Sequence, residues 1–255
     1  FGGTGSPVLL SHATGFHAHC WEPVAHALNS HHHVVGLDHR GYGDAETVDP
    51  ATMTWDQYGL DALAAARDLY AEHNEPIIGI GHSMGGKMAW SLAASQPERV
   101  QALVLMAPDG FPETKDIGTK PYEVPAIMGL IKYVLPKYLV RKSIEPAFAE
   151  ADALNDALVN RYFDMLRAPG VRGAILNRSN QTIYTDPVPR LKAIKAPTLL
   201  IWGEQDQMIP STNAQSYANV LSNSTTVLIP KLGHLLQEEQ PEKGLTAVIQ
   251  FLDSH

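Results

Sequence analysis

Short apolar runs recur along the chain, and longer helix-periodic stretches fill the intervals between them. Pro76-Ile77-Ile78-Gly79-Ile80 is one such run, Pro197-Thr198-Leu199-Leu200-Ile201-Trp202 a second, bounded by Gly203, and Thr225-Thr226-Val227-Leu228-Ile229-Pro230 a third. Runs of this length between turn signals predict buried parallel strands. Tyr58, Leu60, Leu63, Ala66 and Leu69 recur at helical spacing between Thr54, which can cap the start, and His73. Gly86 to Gln96 reads as a helix directly after the first run, and Pro241 to Leu252 as a terminal one. The alternation predicts an α/β fold, a mainly parallel sheet flanked by helices on both faces.

Between residues 111 and 190 the alternation stops. Pro112, Pro121, Pro125, Pro136 and Pro146 break the first half, a long helical pattern follows from Ala147 to Arg167, and Pro169, Pro187 and Pro189 close the segment. Proline removes a helix donor and clashes with the preceding turn, so short interrupted helices are predicted, a lid and not another sheet layer. Charge changes at the same borders. Residues 111–190 hold 11 Lys+Arg against 9 Asp+Glu, or +2, while the remainder holds 8 against 18, or −10. The predicted organisation is a core of residues 1–110 and 191–255 with a helical lid inserted at 111–190.

The 255 residues, 44% of them hydrophobic, suffice for one such domain. A net charge of −8 argues against a nucleic-acid or anionic-membrane partner, and no apolar run reaches the roughly 18 residues needed to span a bilayer. A soluble protein, monomer or homodimer, is expected. The single cysteine, Cys20, excludes an intramolecular disulfide and fits a reducing compartment, which favours the cytoplasm over secretion.

Candidate chemistry begins at Gly81-His82-Ser83-Met84-Gly85, between the first apolar run and the helix that follows it. A strand, a tight turn and a helix are the setting in which Gly-x-Ser-x-Gly presents its serine above a sheet, with glycines where the turn leaves no room for side chains. Ser83 needs a base and an acid to orient that base. Asp206 follows the run at 197–202, and His234 follows the run at 225–230 just before the terminal helix. Asp109 and Glu204 are rival acids. His31-His32-His33 is not expected to bind metal, because three adjacent side chains cannot face one ion on an extended loop. His12, His17 and His19 are read as fixing backbone or lining a pocket rim, and Asp38 and Arg40 as structural. No metal or cofactor is called for.

These motifs resemble the α/β-hydrolase fold family, in particular its lid-bearing serine-esterase-like members. Val8-Leu9-Leu10-Ser11-His12-Ala13-Thr14-Gly15-Phe16, with Trp21 beyond it, resembles the first strand and His-Gly oxyanion loop of that family, although Ala13 stands where glycine is usual. Val34 to Gly43 resembles the next strand and its Asp-x-Arg-Gly-x-Gly turn, Val100 to Ala107 the strand after the elbow helix, and Trp202 to Asp206 the acid loop. The match covers residues 8–110 and 191–255 by motif, and 111–190 by position only. The order Ser83, Asp206, His234 is that of the family. The resemblance implies a small-molecule ester substrate, an acyl-enzyme on Ser83, and an oxyanion hole from the backbone N–H groups of Met84 and Thr14, the latter placed by resemblance alone. The strands that precede the first motif in the family are missing and the chain opens at Phe1, so it is read as lacking its start, where any targeting segment would lie.

Most of Trp90, Tyr122, Tyr133, Phe148, Tyr162, Phe163 and Met165 should be core. Phe16, Trp90, Phe163 and Met165 are the candidates to line an acyl pocket whose chain-length preference the lid sets. Within the same fold, C–C bond hydrolysis, cofactor-free perhydrolysis and a ligand receptor with a slow triad remain rivals, whereas Ser83 argues against epoxide hydrolases and haloalkane dehalogenases, which carry aspartate at the elbow.

Overall fold

A computed structural model describes residues 1–46, 49–112, 116–118, 120–121 and 123–255. Among them six strands, β1 (Ser6–Ser11), β2 (His32–Leu37), β3 (Ile77–His82), β4 (Val100–Met106), β5 (Thr198–Gly203) and β6 (Ser224–Ile229), form one sheet in the order β2-β1-β3-β4-β5-β6, and every pairing is parallel. Parallel strands require crossovers, and helices supply them. These are α1 (Glu22–Leu28), α2 (Trp55–His73) and α3 (Met84–Ser95); then α4 (Lys137–Ile144), α5 (Asp156–Arg167), α6 (Val171–Gln181) and α7 (Val188–Leu191); and finally α8 (Asn213–Ala218), α9 (Leu236–Glu239) and α10 (Pro241–Leu252). None of the helices is long and apolar enough to cross a membrane.

Covered on both faces, β3 and β5 are buried along their whole length, as near-continuous apolar strands of parallel sheets must be. The strand at Ser224–Ile229 departs from the expectation of burial. It has only β5 as a neighbour, and Thr225, Thr226 and Leu228 are exposed at the sheet edge. On α2 the cap is as expected, Thr54 Oγ1 accepting from Gln57 N at 3.2 Å, but the buried face is Tyr58, Ala62, Ala66 and Leu69, and Leu60 points to solvent.

Two sequence boundaries move for identifiable reasons. Helix α3 starts at Met84, two residues before the predicted Gly86, because Gly85 and Gly86 serve close packing inside its first turn: a Cβ at Gly85 would lie 2.0 Å from Ser11 O, and one at Gly86 2.7 Å from Pro108 Cβ. The pattern from Ala147 to Arg167 is not one helix. The chain turns at Glu145–Ala147 and Ala151–Ala153, and α5 begins only where Asn155 Oδ1 accepts from Leu158 N at 3.0 Å.

Two smaller clusters join the 111–190 segment to the sheet domain. In one, Val140, Ala147, Phe148, Leu154, Val159 and Tyr162 pack with Ala13, Phe16 and Leu235; in the other, Val171 and Ala174 pack with Tyr42, Tyr58, Met84 and Met88. Tyr122 lies outside the described residues.

Candidate active site

Ser83 sits between β3 and α3 with φ 54° and ψ −118°, a conformation that L-residues avoid unless their surroundings impose it. Here the surroundings do. Ser83 N donates to Met106 O and Asp109 N donates to Ser83 O, each at 3.0 Å, so the end of β4 holds the serine backbone from both sides. A Cβ at Gly81 would lie 2.3 Å from Gly85 O, which explains the two glycines flanking the turn. The serine is half-buried.

The loops after β5 and β6 bring Asp206 and His234 together. His234 Nδ1 donates to Asp206 Oδ2 at 2.7 Å, and Asp206 Oδ1 accepts from Met208 N and Ile209 N, both at 2.8 Å. The acid side chain is wholly buried and the imidazole nearly so. With its three donors in place the carboxylate orients the imidazole with the Nδ1 proton towards it, leaving the Nε2 lone pair free to act as a base. Asp109 lies elsewhere: its backbone oxygen accepts from Trp90 Nε1 at 3.1 Å and Tyr217 Oη at 2.9 Å. Glu204 is exposed. Among the described residues no hydrogen bond joins Ser83 to His234, a contact that often tightens only when substrate is bound.

Three residues that sequence reasoning passed over hold the His234 loop. His82, fully buried, donates Nε2–H to His234 O at 2.9 Å and accepts at Nδ1 from Gln237 Nε2 at 3.0 Å. Burial, aided by the neighbouring His234, keeps this imidazole well below the usual histidine range, hence neutral and able to play both parts. Glu239 is the third: one carboxylate oxygen accepts from Gly233 N at 2.8 Å, the other from Ala149 N at 3.0 Å and Glu150 N at 3.3 Å. Ala147 O also accepts from His234 N at 2.7 Å, and Arg161 of α5 pairs with Glu238 of α9. The position of His82 inside the Gly-x-Ser-x-Gly motif was the available signal, whereas nothing local marks Glu239.

The loop after β1 is pinned by its histidine. His12 Nδ1 donates to Ala13 O at 2.8 Å and its Nε2 accepts from His39 N at 3.0 Å; burial lowers its pKa to about 4. His39 in turn meets Ser11 Oγ at 2.6 Å, and burial holds it well below the usual range as well. Phe16 N donates to Ala13 O, closing a turn through Thr14, and the Ala13 methyl packs into the cluster with Phe148 and Tyr162. Because Gly85 packs on Ser11 O and His12 O, this loop lies directly against the first turn of α3, where Met84 N is. Neither Thr14 N nor Met84 N donates a hydrogen bond among the described residues. Asp38 and Arg40 take structural places, Asp38 accepting from Ala18 N and Asp44 N, and Arg40 pairing with Asp61 at 2.5 Å.

Of the pocket candidates, Phe16 is buried edge-to-face against Tyr162 with ring centroids 5.3 Å apart, and Met165 shares with it the wall of a cavity of ≈ 220 Å³. One candidate requires correction: Trp90 is fully inside the main core, its indole N–H spent on Asp109 O. Phe163, on α5, packs with Met165 against the cluster of Phe16 and Tyr162, and the cations of Lys137 and Arg167 each lie 5.2 Å from its ring.

Among the described residues one group has metal-ligand chemistry, His33, Glu72 and His73, at the opposite ends of the strands from Ser83. His33 Nδ1 and His73 Nε2 are 2.6 Å apart with ring centroids at 4.8 Å, so the two rings point at each other and share a proton. Burial raises the Cys20 thiol far above its ordinary value and makes it inert as a nucleophile.

Residues 8–248 match the model of the alpha/beta hydrolase family, and the chain belongs to that family. It is 28% identical over 254 residues to the 2-hydroxy-6-oxononadienedioate/2-hydroxy-6-oxononatrienedioate hydrolase of Paraburkholderia xenovorans (strain LB400), spanning 96% of this chain and 86% of that protein. It is 23% identical to the human monoacylglycerol lipase ABHD6, over 97% of this chain and 75% of the lipase. A thermophilic esterase from Thermogutta terrifontis, solved with malate bound, superimposes with a TM-score of 0.82 at 24% identity, covering 99% and 91% of the two chains.

Proposed function

We propose that this protein is a serine hydrolase that cleaves a small, neutral carboxylic ester through an acyl-enzyme. The observation that carries the reading is the buried Asp206–His234 pair at 2.7 Å, brought beside an elbow that holds Ser83 at φ 54°. His234 takes the Ser83 proton, Ser83 attacks the carbonyl carbon, and Asp206 stabilises the imidazolium that forms. The N–H groups of Met84 and Thr14 receive the oxyanion. The alcohol leaves with the proton returned by His234, which then activates water to release the acid. Residues 111–190 act as a lid that selects the acyl group.

C–C bond hydrolysis is the second reading, favoured by the dienedioate hydrolase among the relatives. A substrate of that kind carries carboxylates, which need an unpaired cation in the site. The side chains gathered on the Thr14 and His234 loops are apolar, Ala13, Phe16, Leu235, Phe148 and Tyr162, and the adjacent Arg161 is already paired with Glu238. These surroundings suit a neutral acyl group.

A series of p-nitrophenyl esters of rising chain length, run beside a dienoate substrate, separates the two. Turnover should rise with each added methylene, by about 0.8 kcal/mol of binding, until the pocket is full, and then collapse. Dienoate turnover with no measurable ester hydrolysis would reverse the order of the readings; failure of both, together with no covalent organophosphonate adduct on Ser83, would remove the enzyme reading altogether.

A further inference from the structure

Exposed apolar side chains are concentrated in one short stretch. Of the thirteen large hydrophobic residues exposed among those described, seven fall between Ile127 and Leu139, including Ile127 (68% exposed), Leu130 (57%), Tyr133 (83%), Val134 (65%) and Tyr138 (69%). Scattered exposed hydrophobics are ordinary, but a contiguous group marks a surface that meets something apolar. The same stretch is cationic. From Val124 to Ile144 the chain carries Lys132, Lys137, Arg141 and Lys142 and neither Asp nor Glu, in a protein of net charge −8. Arg141 is paired with Asp156 and Lys137 bonds the neutral Asn160 at 2.7 Å, while Lys132 and Lys142 meet no carboxylate among the described residues. Behind the stretch lies a groove of ≈ 500 Å³ with Met128, Ile131, Leu135 and Leu139 in its walls.

We propose that residues 124–144 are a peripheral docking surface for an anionic lipid bilayer, with Tyr133, Val134 and Tyr138 entering the headgroup boundary and the lysines meeting lipid phosphates. Aliphatic tips, amphipathic tyrosines and flanking lysines without acids are the chemistry of an interfacial segment, and each lysine near an anionic leaflet adds to the attraction. A second copy of this chain fits the face poorly, since a two-fold contact would set the lysines of one copy against those of the other. The whole-chain charge that spoke against a membrane surface is an average, whereas the field felt at a bilayer is set by charges within about 8 Å of it. The inference stands apart from the reading of Ser83.

The test is flotation of the full chain with phosphatidylcholine vesicles and with phosphatidylcholine–phosphatidylglycerol vesicles at low and high salt. Binding to the anionic vesicles alone, weakened by salt, is expected; the pair Lys132→Gln and Lys142→Gln should weaken it about 30-fold, and Tyr133→Ser with Val134→Ser should abolish it. All four positions are exposed, so melting temperature and acetyl-ester turnover should stay at wild-type values, and the lysine pair alone decides the matter if the Tyr133 and Val134 variant folds poorly. Absence of binding, equal binding to neutral vesicles, or a concentration-dependent dimer abolished by the same substitutions without vesicle binding would overturn the proposal.

Discussion

Around Ser83 the backbone is fixed by residues close to it in sequence or adjacent in the sheet: a Cβ at Gly81, Gly85 or Gly86 would lie only 2.0–2.7 Å from a neighbouring atom, and Met106 O holds the serine N–H. Around Ala147 to Glu150 the backbone is fixed from far away, by a carboxylate about ninety residues downstream, Glu239, and by the His234 loop. The first region is built by steric necessity and has one solution. The second is a set of side-chain to backbone bonds that exists only once the chain is folded. The segment predicted as a lid thus reaches the proposed base: the Ala147 carbonyl and the Glu239 carboxylate hold the backbone of the loop that carries it.

The comparison is broken most completely at the elbow. Ser83→Ala and His234→Ala should each lower kcat by about 10⁵ to 10⁶, and the double variant should be little worse, because the two act as a unit; near-normal ester turnover by folded Ser83→Ala would end the assignment. Asp206→Asn should cost about 10² to 10⁴ in kcat through the wrong imidazole tautomer. Asp109→Asn should cost far less, since among the described residues Asp109 is hydrogen-bonded through its backbone alone, and a reversal of the two would move the acid to the end of β4.

Acid should separate the regions next. His12, His39 and His82 are buried beneath the elbow with lowered pKa values, and residues 111–190 contain no histidine. A histidine held neutral in the fold contributes stability that is complete above its unfolded value of 6.5 and is lost as pH falls towards its folded value, about 4 for His12. For His12 alone this amounts to about 3 kcal/mol. Thermal melting followed from pH 7 to about 4 should therefore show a steep fall in Tm, shallower in a folded His12→Asn variant; parallel curves would show that acid acts elsewhere.

The smallest effect sharpens the view of the lid. Glu239→Gln removes the charge and keeps one acceptor oxygen, enough for the Ala149 and Glu150 N–H groups while its NH2 faces the Gly233 N–H, and about a tenfold loss of kcat with little change in KM for an acetyl ester is expected. An unchanged kcat would mean that the lid attachment does not reach His234.

How legible each region was follows from the same contrast. The elbow, the acid loop and the base loop are written in local signals, an apolar run, a glycine pair and a polar residue at a strand end; Ser83 lies between β3 and α3, Asp206 after β5 and His234 after β6. Trp90 was misplaced as a pocket candidate because an aromatic residue looks alike in sequence whether it faces a core or a ligand. Burial of β6 was overestimated because composition does not say which strand lies at the edge, and the helical pattern beyond Ala147 gave no hint that Glu239 would claim two of its backbone donors.

The bonds at Glu239 bear on how this enzyme can be recombined with its relatives. A foreign segment spliced in place of residues 111–190 arrives with its own inner surface, and so with its own selectivity. It will seat only if its stretch equivalent to Ala147–Glu150 offers one carbonyl to His234 N and two N–H groups to Glu239. On the proposed reading of residues 111–190 selectivity is an exchangeable part, but the socket that receives it is not, and chimeras that ignore those three backbone groups should fold while losing turnover on every substrate alike.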